Sequence, residues 1–247
     1  HDEAADETME ERTERAARGV GELVDGFEFH YPGEINEQNL ARILKILDAY
    51  EKDVYAVALG LFCDPRFGLG SFVHPDPGIR NETVDITKRA IRLAAELKAK
   101  FIIWPGGEGY NYPFQVDYGD AWDWFITGIA ASVDYANGQG VPVLLEHKNS
   151  EPAMKILMRD MGMALYVVHK VAERGVNVSN LKLNMDWQHL VMNGEPLAEY
   201  AVGHFPRDRG ATWSKCAGVS GSCVGIYVDP KSPPARRGGM IGPTAGG

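Results

Sequence analysis

Apolar positions along the chain fall into short runs that alternate with longer helical stripes. Leu23–His30 is a short apolar run ending in polar residues, and Ile35–Tyr50 follows with Leu40, Ile43, Leu44 and Leu47 at helical spacing. Val54–Phe62 predicts the next strand and Ile79–Leu97 the next amphipathic helix. The pattern continues as strand Lys100–Trp104, helix Tyr118–Asn137, strand Val141–Glu146, helix Met154–Arg174, strand Leu181–Met185 and a last helix near Pro196–Val202. Gly138 and Gly175 mark helix ends. Strands separated by helices imply parallel strands with crossover connections. Five such units, with no glycine fingerprint after the first strand, suit a (β/α)8 TIM barrel better than an open nucleotide-binding sheet, the structural alternative.

The ends differ from the middle. The chain of 247 residues carries a formal net charge of −9, yet Gly203–Gly247 holds six Lys/Arg against two Asp/Glu, a balance of +4. Those 45 residues include ten Gly and five Pro, show no helical period and hold one strand-like run, Cys223 to Val228. The expected organisation is therefore a barrel domain over 1–202 and a Gly/Pro-rich basic tail over 203–247. The tail reads either as an irregular flexible arm or as a segment foreign to the domain. The opening lacks Met and starts in what reads as a helix, so both ends look cut.

Composition narrows the function classes. Apolar residues at 45% and charged residues at 24% describe a globular protein rather than a disordered one. No apolar stretch reaches the roughly 18–20 residues of a membrane span, and the acidic start resembles neither a signal nor a transit peptide. The negative charge argues against nucleic acid as a partner. Three scattered cysteines, Cys63, Cys216 and Cys223, suit a reducing cytoplasm and no zinc knuckle.

In a barrel of this kind the strands' C-terminal ends build the site. Those ends carry His30, Phe62, Trp104 with Glu108, then Glu146, His147 and Lys148, and finally Asp186 with His189. Taken singly, His30 reads as a hydrogen-bonded structural histidine and Trp104 as packing. Glu146 and Asp186 both follow apolar runs directly, where an unpaired carboxylate is costly. Two carboxylates converging on one mouth repel unless a cation or a shared proton compensates. Carboxylate and imidazole donors together favour Mg²⁺, Mn²⁺ or Co²⁺. The D-x-x-H spacing lets Asp186 and His189 face one metal from a strand end and the turn after it.

These motifs resemble the xylose isomerase family. The segment LFCDPRFGLGSFVHPDPGIR matches that family's pattern through Leu61, Phe62, Pro65, Phe67, Gly70, Phe72, Asp76 and Arg80. WPGGEG matches through Trp104, Gly106, Glu108 and Gly109; EHKNSEP through Glu146, Lys148, Glu151 and Pro152; NMDWQH through Asn184, Asp186 and His189. The resemblance runs from about Phe27 to Ala201. It implies metal ligands at Glu146 and Asp186, with His189 on a second metal, Lys148 on the substrate oxygen beside the reacting carbonyl, and His30 at the ring-opening position. Phe62, Trp104 and Glu108 would contact the sugar.

Three departures accompany it. Tyr31 stands where the family has the aspartate that orients the histidine, and Asp186 replaces a longer glutamate. Strands one, seven and eight are not recognisable, so a closed hydrogen-bond ladder is not expected. Of the tail's residues only His204, Asp208 and Asp229 could replace ligands from the missing strands.

The leading activity implied is aldose–ketose isomerisation by a divalent-metal-dependent enzyme, through enolisation or a hydride shift at an α-hydroxycarbonyl. Its expected partner is a small-molecule sugar or glycoside, within a homo-oligomer. A second reading is the C-glycoside deglycosidase α subunit acting on 3-oxo-glycosides beside a β subunit. A third, from another class, is a truncated barrel without catalysis.

Overall fold

The computed structural model describes residues 7–149 and 153–196, and the backbone of 212–218 and 225–229. The first element is helix α1, Met9–Val20, capped by Thr8 in a reciprocal box with Glu11. Strand β1, Gly26–Tyr31, precedes α2, Leu40–Ala49, and β2, Asp53–Leu59. Helix α3, Pro77–Glu96, starts where Asp76 accepts the Gly78 N–H and Pro77 fits the first turn. After β3, Lys100–Ile103, and the two-residue β4, Gly109–Tyr110, comes α4, Tyr118–Gln139. Then follow β5, Val143–Glu146, the short β6, Lys155–Ile156, and α5, Met161–Glu173. Strand β7, Leu181–Asp186, runs directly into α6, Trp187–Asn193. Backbone strands β8, Thr212–Gly218, and β9, Gly225–Asp229, complete the order.

The α/β barrel reading holds, and the barrel is incomplete as an eightfold one. Strands β1, β2, β3, β5 and β7 pair in parallel succession. The ring then continues through β9 and β8 back to β1. That stretch is not made by further βα units, because β9 is antiparallel to both β7 and β8. Side chains alternate across each strand. Val57, Phe101, Ile103, Val143 and Leu145 face the helices within the main core, while Ala56, Ala58, Ile102 and Leu144 fill the barrel interior as a separate cluster.

Several boundaries move for identifiable reasons. The helix foreseen from Met154 begins at Met161, because Asp160 caps it and Lys155–Ile156 pairs with β4 as an antiparallel ribbon. Helix α4 runs through Gly138 and stops at Gly140, whose φ of 69° ends the helix in a left-handed turn. The helix expected near 196–202 lies outside the described residues save its first, and α6 instead places His189 on a helix rather than in a turn. No helix among the described residues is long and apolar enough to cross a membrane.

Candidate metal and sugar site

Three strand ends bring their polar residues to one cavity of about 410 Å³, lined by Glu28, His30, Phe62, Trp104, Glu146, Lys148 and His189 among others. One donor atom each from Glu146, Asp186 and His189 lies within 4.8 Å of the others, and all three residues are buried. Glu146 ends β5 and Asn184 ends the opposing register on β7, so the Asn184 amide donates to Glu146 Oε2. Asp186 ends β7 and caps α6, with Oδ1 accepting the Gln188 N–H at 2.7 Å and the His189 N–H at 3.3 Å. The cap fixes the carboxylate and leaves Oδ2 buried without a hydrogen bond.

The imidazole is prepared in the same way. His189 Nδ1 lies 3.0 Å from the His147 carbonyl, which can only accept, so Nδ1 carries the proton and Nε2 keeps its lone pair. That Nε2 is 3.7 Å from Asp186 Oδ2. Burial, helped by Lys148, lowers the tendency of His189 to become charged, although Asp186 opposes it. A neutral imidazole, a carboxylate with an orphaned oxygen and a second carboxylate form a donor set suited to a hard or borderline divalent cation.

The acidic side is larger than the sequence suggested. Glu28, on the same face of β1 as His30, is 4% exposed and lines the cavity. Burial raises its carboxyl to about 7, with His30 opposing and Asp186 adding to the shift. Burial likewise holds Glu146 well above the usual carboxylate range, and the charges of Glu28 and Asp186 push it further. Three carboxylates thus share one field.

The structure supplies the partner that Tyr31 cannot be. Glu34, at the far side of the turn after β1, accepts the His30 backbone N–H at 2.8 Å and meets His30 Nδ1 at 3.1 Å. Burial favours the neutral ring, but Glu34 and then Glu28 outweigh it and raise the His30 pKa. Tyr31 turns away and donates to Glu37. Phe62 stands edge-on to Trp104 with centroids 4.4 Å apart, and Lys148 Nζ lies 4.7 Å above the same indole. Gly106 permits this wall: a Cβ there would sit 2.3 Å from the Trp104 ring.

Glu108 requires a correction. Rather than facing the cavity, it accepts the backbone N–H groups of Ser71, Phe72 and Val73 at 3.2, 3.1 and 3.0 Å, and the Ser71 hydroxyl. Its carboxylate is consumed in clamping the β2–α3 loop. Burial still raises its pKa, with those donors pulling against the shift.

Of the sequence-predicted residues, the cavity gathers His30, Phe62, Trp104, Glu146, Lys148 and His189, with Asp186 completing the donor triad. Glu151, Pro152, His204 and Asp208 lie outside the described residues. Sequence reasoning missed Glu28, Glu34 and Gln188. Glu28 carried a readable signal, an acid two residues before His30 in a strand that is otherwise apolar.

Fold and donor cluster together define an α/β barrel with a buried acidic cavity at its strand ends. The chain belongs to the xylose isomerase-like TIM barrel family, which it matches over residues 15–211. It is 30% identical over 166 residues to the xylose isomerases of Thermus thermophilus and Thermus caldophilus, covering 66% of this chain and 42% of each relative. The chain therefore spans less than half the length of these curated relatives. Among solved structures, it resembles the 3-keto-D-glucoside 4-epimerase from E. coli at 15% identity and a TM-score of 0.61, covering 78% of this chain and 70% of that one. It also resembles the D-allulose 3-epimerase from Methylomonas sp. at 16% identity and a TM-score of 0.60, covering 78% and 62%. These two likenesses concern the fold.

Proposed function

We propose that the protein is a divalent-metal-dependent enzyme that interconverts an aldose and its ketose at an α-hydroxycarbonyl. The observation that carries this reading is the convergence of Glu146, Asp186 and His189 on one point, with Asp186 Oδ2 buried and unpaired, at the wall of a cavity that also holds Lys148. A divalent cation bound there would polarise neighbouring sugar oxygens. Glu146, Asp186 and His189 would hold it. Lys148, its ammonium 4.7 Å over the Trp104 indole, can donate to the carbonyl oxygen as negative charge grows there. His30, oriented by Glu34, can exchange a proton with the ring oxygen when the sugar opens. Phe62 and Trp104 supply an apolar wall for the sugar's C–H face and exclude water.

The test is calorimetry of the chelator-stripped chain with Mn²⁺, Mg²⁺ and Co²⁺, followed by NMR of an aldose panel with the loaded protein. Binding in the wild type, its loss in Glu146→Gln, and appearance of the ketose are expected. Absence of binding for all three ions at millimolar concentration would overturn the reading.

A further inference from the structure

Resting on that reading, we propose that Glu28 is a fourth protein ligand of the same cation site. Among the described residues the three converging donors leave a shell short, because hard divalent cations take six or more donors, and carboxylate oxygens are the preferred ones. The backbone position of Asp229 is remote from that gap. Gly225 pairs with Asp186, and β9 runs antiparallel to β7, so Asp229 lies four residues further toward the opposite barrel end, roughly 13 Å away at strand rise.

Glu28 lines the same cavity just outside the group of three donors that already lie within 4.8 Å of one another, one side-chain adjustment from joining it. It lines the cavity with Glu146 and His189 and is 4% exposed. Small positions flank it: its register partners are Ala56 on β2 and Gly218 on β8. In the ring order β7-β9-β8-β1, the partners of Asp186 and Glu28 are Gly225 and Gly218, so neither register position bears a side chain that would come between the two carboxylates. Charge also balances. Three carboxylates, one divalent cation and the Lys148 ammonium sum to zero, whereas His30 and Glu34 pair separately. A buried carboxylate without a compensating cation is costly, and ligation offsets that cost.

The experiment compares full-length wild type, Glu28→Gln and Glu28→Asp, stripped of metal, by Mn²⁺ calorimetry and by melting with and without Mn²⁺. Glu28→Gln should fold, since a neutral isostere relieves repulsion from Glu146 and Asp186, and its metal-free melting temperature should equal or exceed the wild type's. Its Mn²⁺ affinity should fall at least tenfold, with a correspondingly smaller Mn²⁺-induced rise in melting temperature. Glu28→Asp retains the charge on a shorter arm and should also bind more weakly, which keeps the test decisive if the glutamine variant fails to fold. Affinity within twofold of wild type in the folded variants would overturn the assignment of Glu28 alone. A wild type that binds no Mn²⁺ would overturn it together with the proposed function.

Discussion

Replacing Glu108 with glutamine distinguishes a loop clamp from a sugar ligand. In the native protein Oε1 accepts the Ser71 N–H, the Phe72 N–H and the Ser71 hydroxyl, while Oε2 accepts the Val73 N–H. Glutamine keeps one oxygen, best placed toward Ser71 and Phe72. Its NH2 group then faces the Val73 N–H, donor against donor. Val73 is fully buried, so an unsatisfied amide there costs about 1–3 kcal/mol. The remaining bonds lose their ionic assistance, roughly another 1–2 kcal/mol, and relief from burying a charge offsets part of this. The net expectation is a loss of about 2–4 kcal/mol. For a chain of this length that corresponds to roughly 4–16 °C in melting temperature. Urea unfolding followed by circular dichroism measures the stability, and Mn²⁺ calorimetry on the folded variant should match the wild type. A stability loss under ~0.5 kcal/mol, combined with a raised KM for the sugar, would refute the clamp and restore Glu108 to the substrate site.

His30→Gln should give a pH-dependent stability difference. The raised His30 pKa contributes stability that is fully present below the unfolded value of 6.5 and is lost as pH rises through the higher folded value. The lowered Glu34 pKa contributes stability present above 4.5 and lost as pH falls through its depressed value. The wild type's advantage in urea melts should therefore be largest between pH 4.5 and 6.5, and a flat difference would remove the pair. Lys148→Met keeps an unbranched side chain of similar length but removes the ammonium over Trp104; turnover should drop ~10²–10³-fold while Mn²⁺ still binds, measured as kcat against calorimetric affinity. Gly128→Ala should destabilise despite better helix propensity, by about 1–3 kcal/mol, because its Cβ would lie 2.2 Å from the Phe72 ring; an unchanged melting temperature would contradict that packing.

The parallel core was readable because inward and outward residues alternate on strands with helical stripes between them, as in Val57 against Ala58 and Phe101 against Ile102. The cluster of Glu146, Asp186 and His189 was readable because Glu146 and Asp186 end apolar runs where only a compensated charge belongs. The roles of Glu108 and Glu34 were not. Glu108 sits in a motif that suggests the mouth, and only the folded β2–α3 loop presents three amides to it. Glu34 is separated from His30 by a turn whose direction the sequence pattern leaves open. The closing hairpin was legible only in the strand-like run Cys223 to Val228, which β9 overlaps; its pairing was hidden for a different reason. Its pairing partners lie far apart in sequence, Glu28 with Gly218 and Asp186 with Gly225, and the glycine-rich composition around it carries little alternation.

The Glu108 clamp ties two loops that rise from different strands. Its carboxylate comes from the segment after β3 that also carries Trp104, and its three amides come from the segment after β2 that carries Phe62. The facing aromatic walls are therefore built on one fastened unit. For anyone grafting loops to change which sugar is accepted, the two segments are a single module. Exchanging the β2–α3 loop without its β3–α4 counterpart strands a carboxylate or three amides in the interior, so variation between homologous scaffolds has to be transplanted in both segments together.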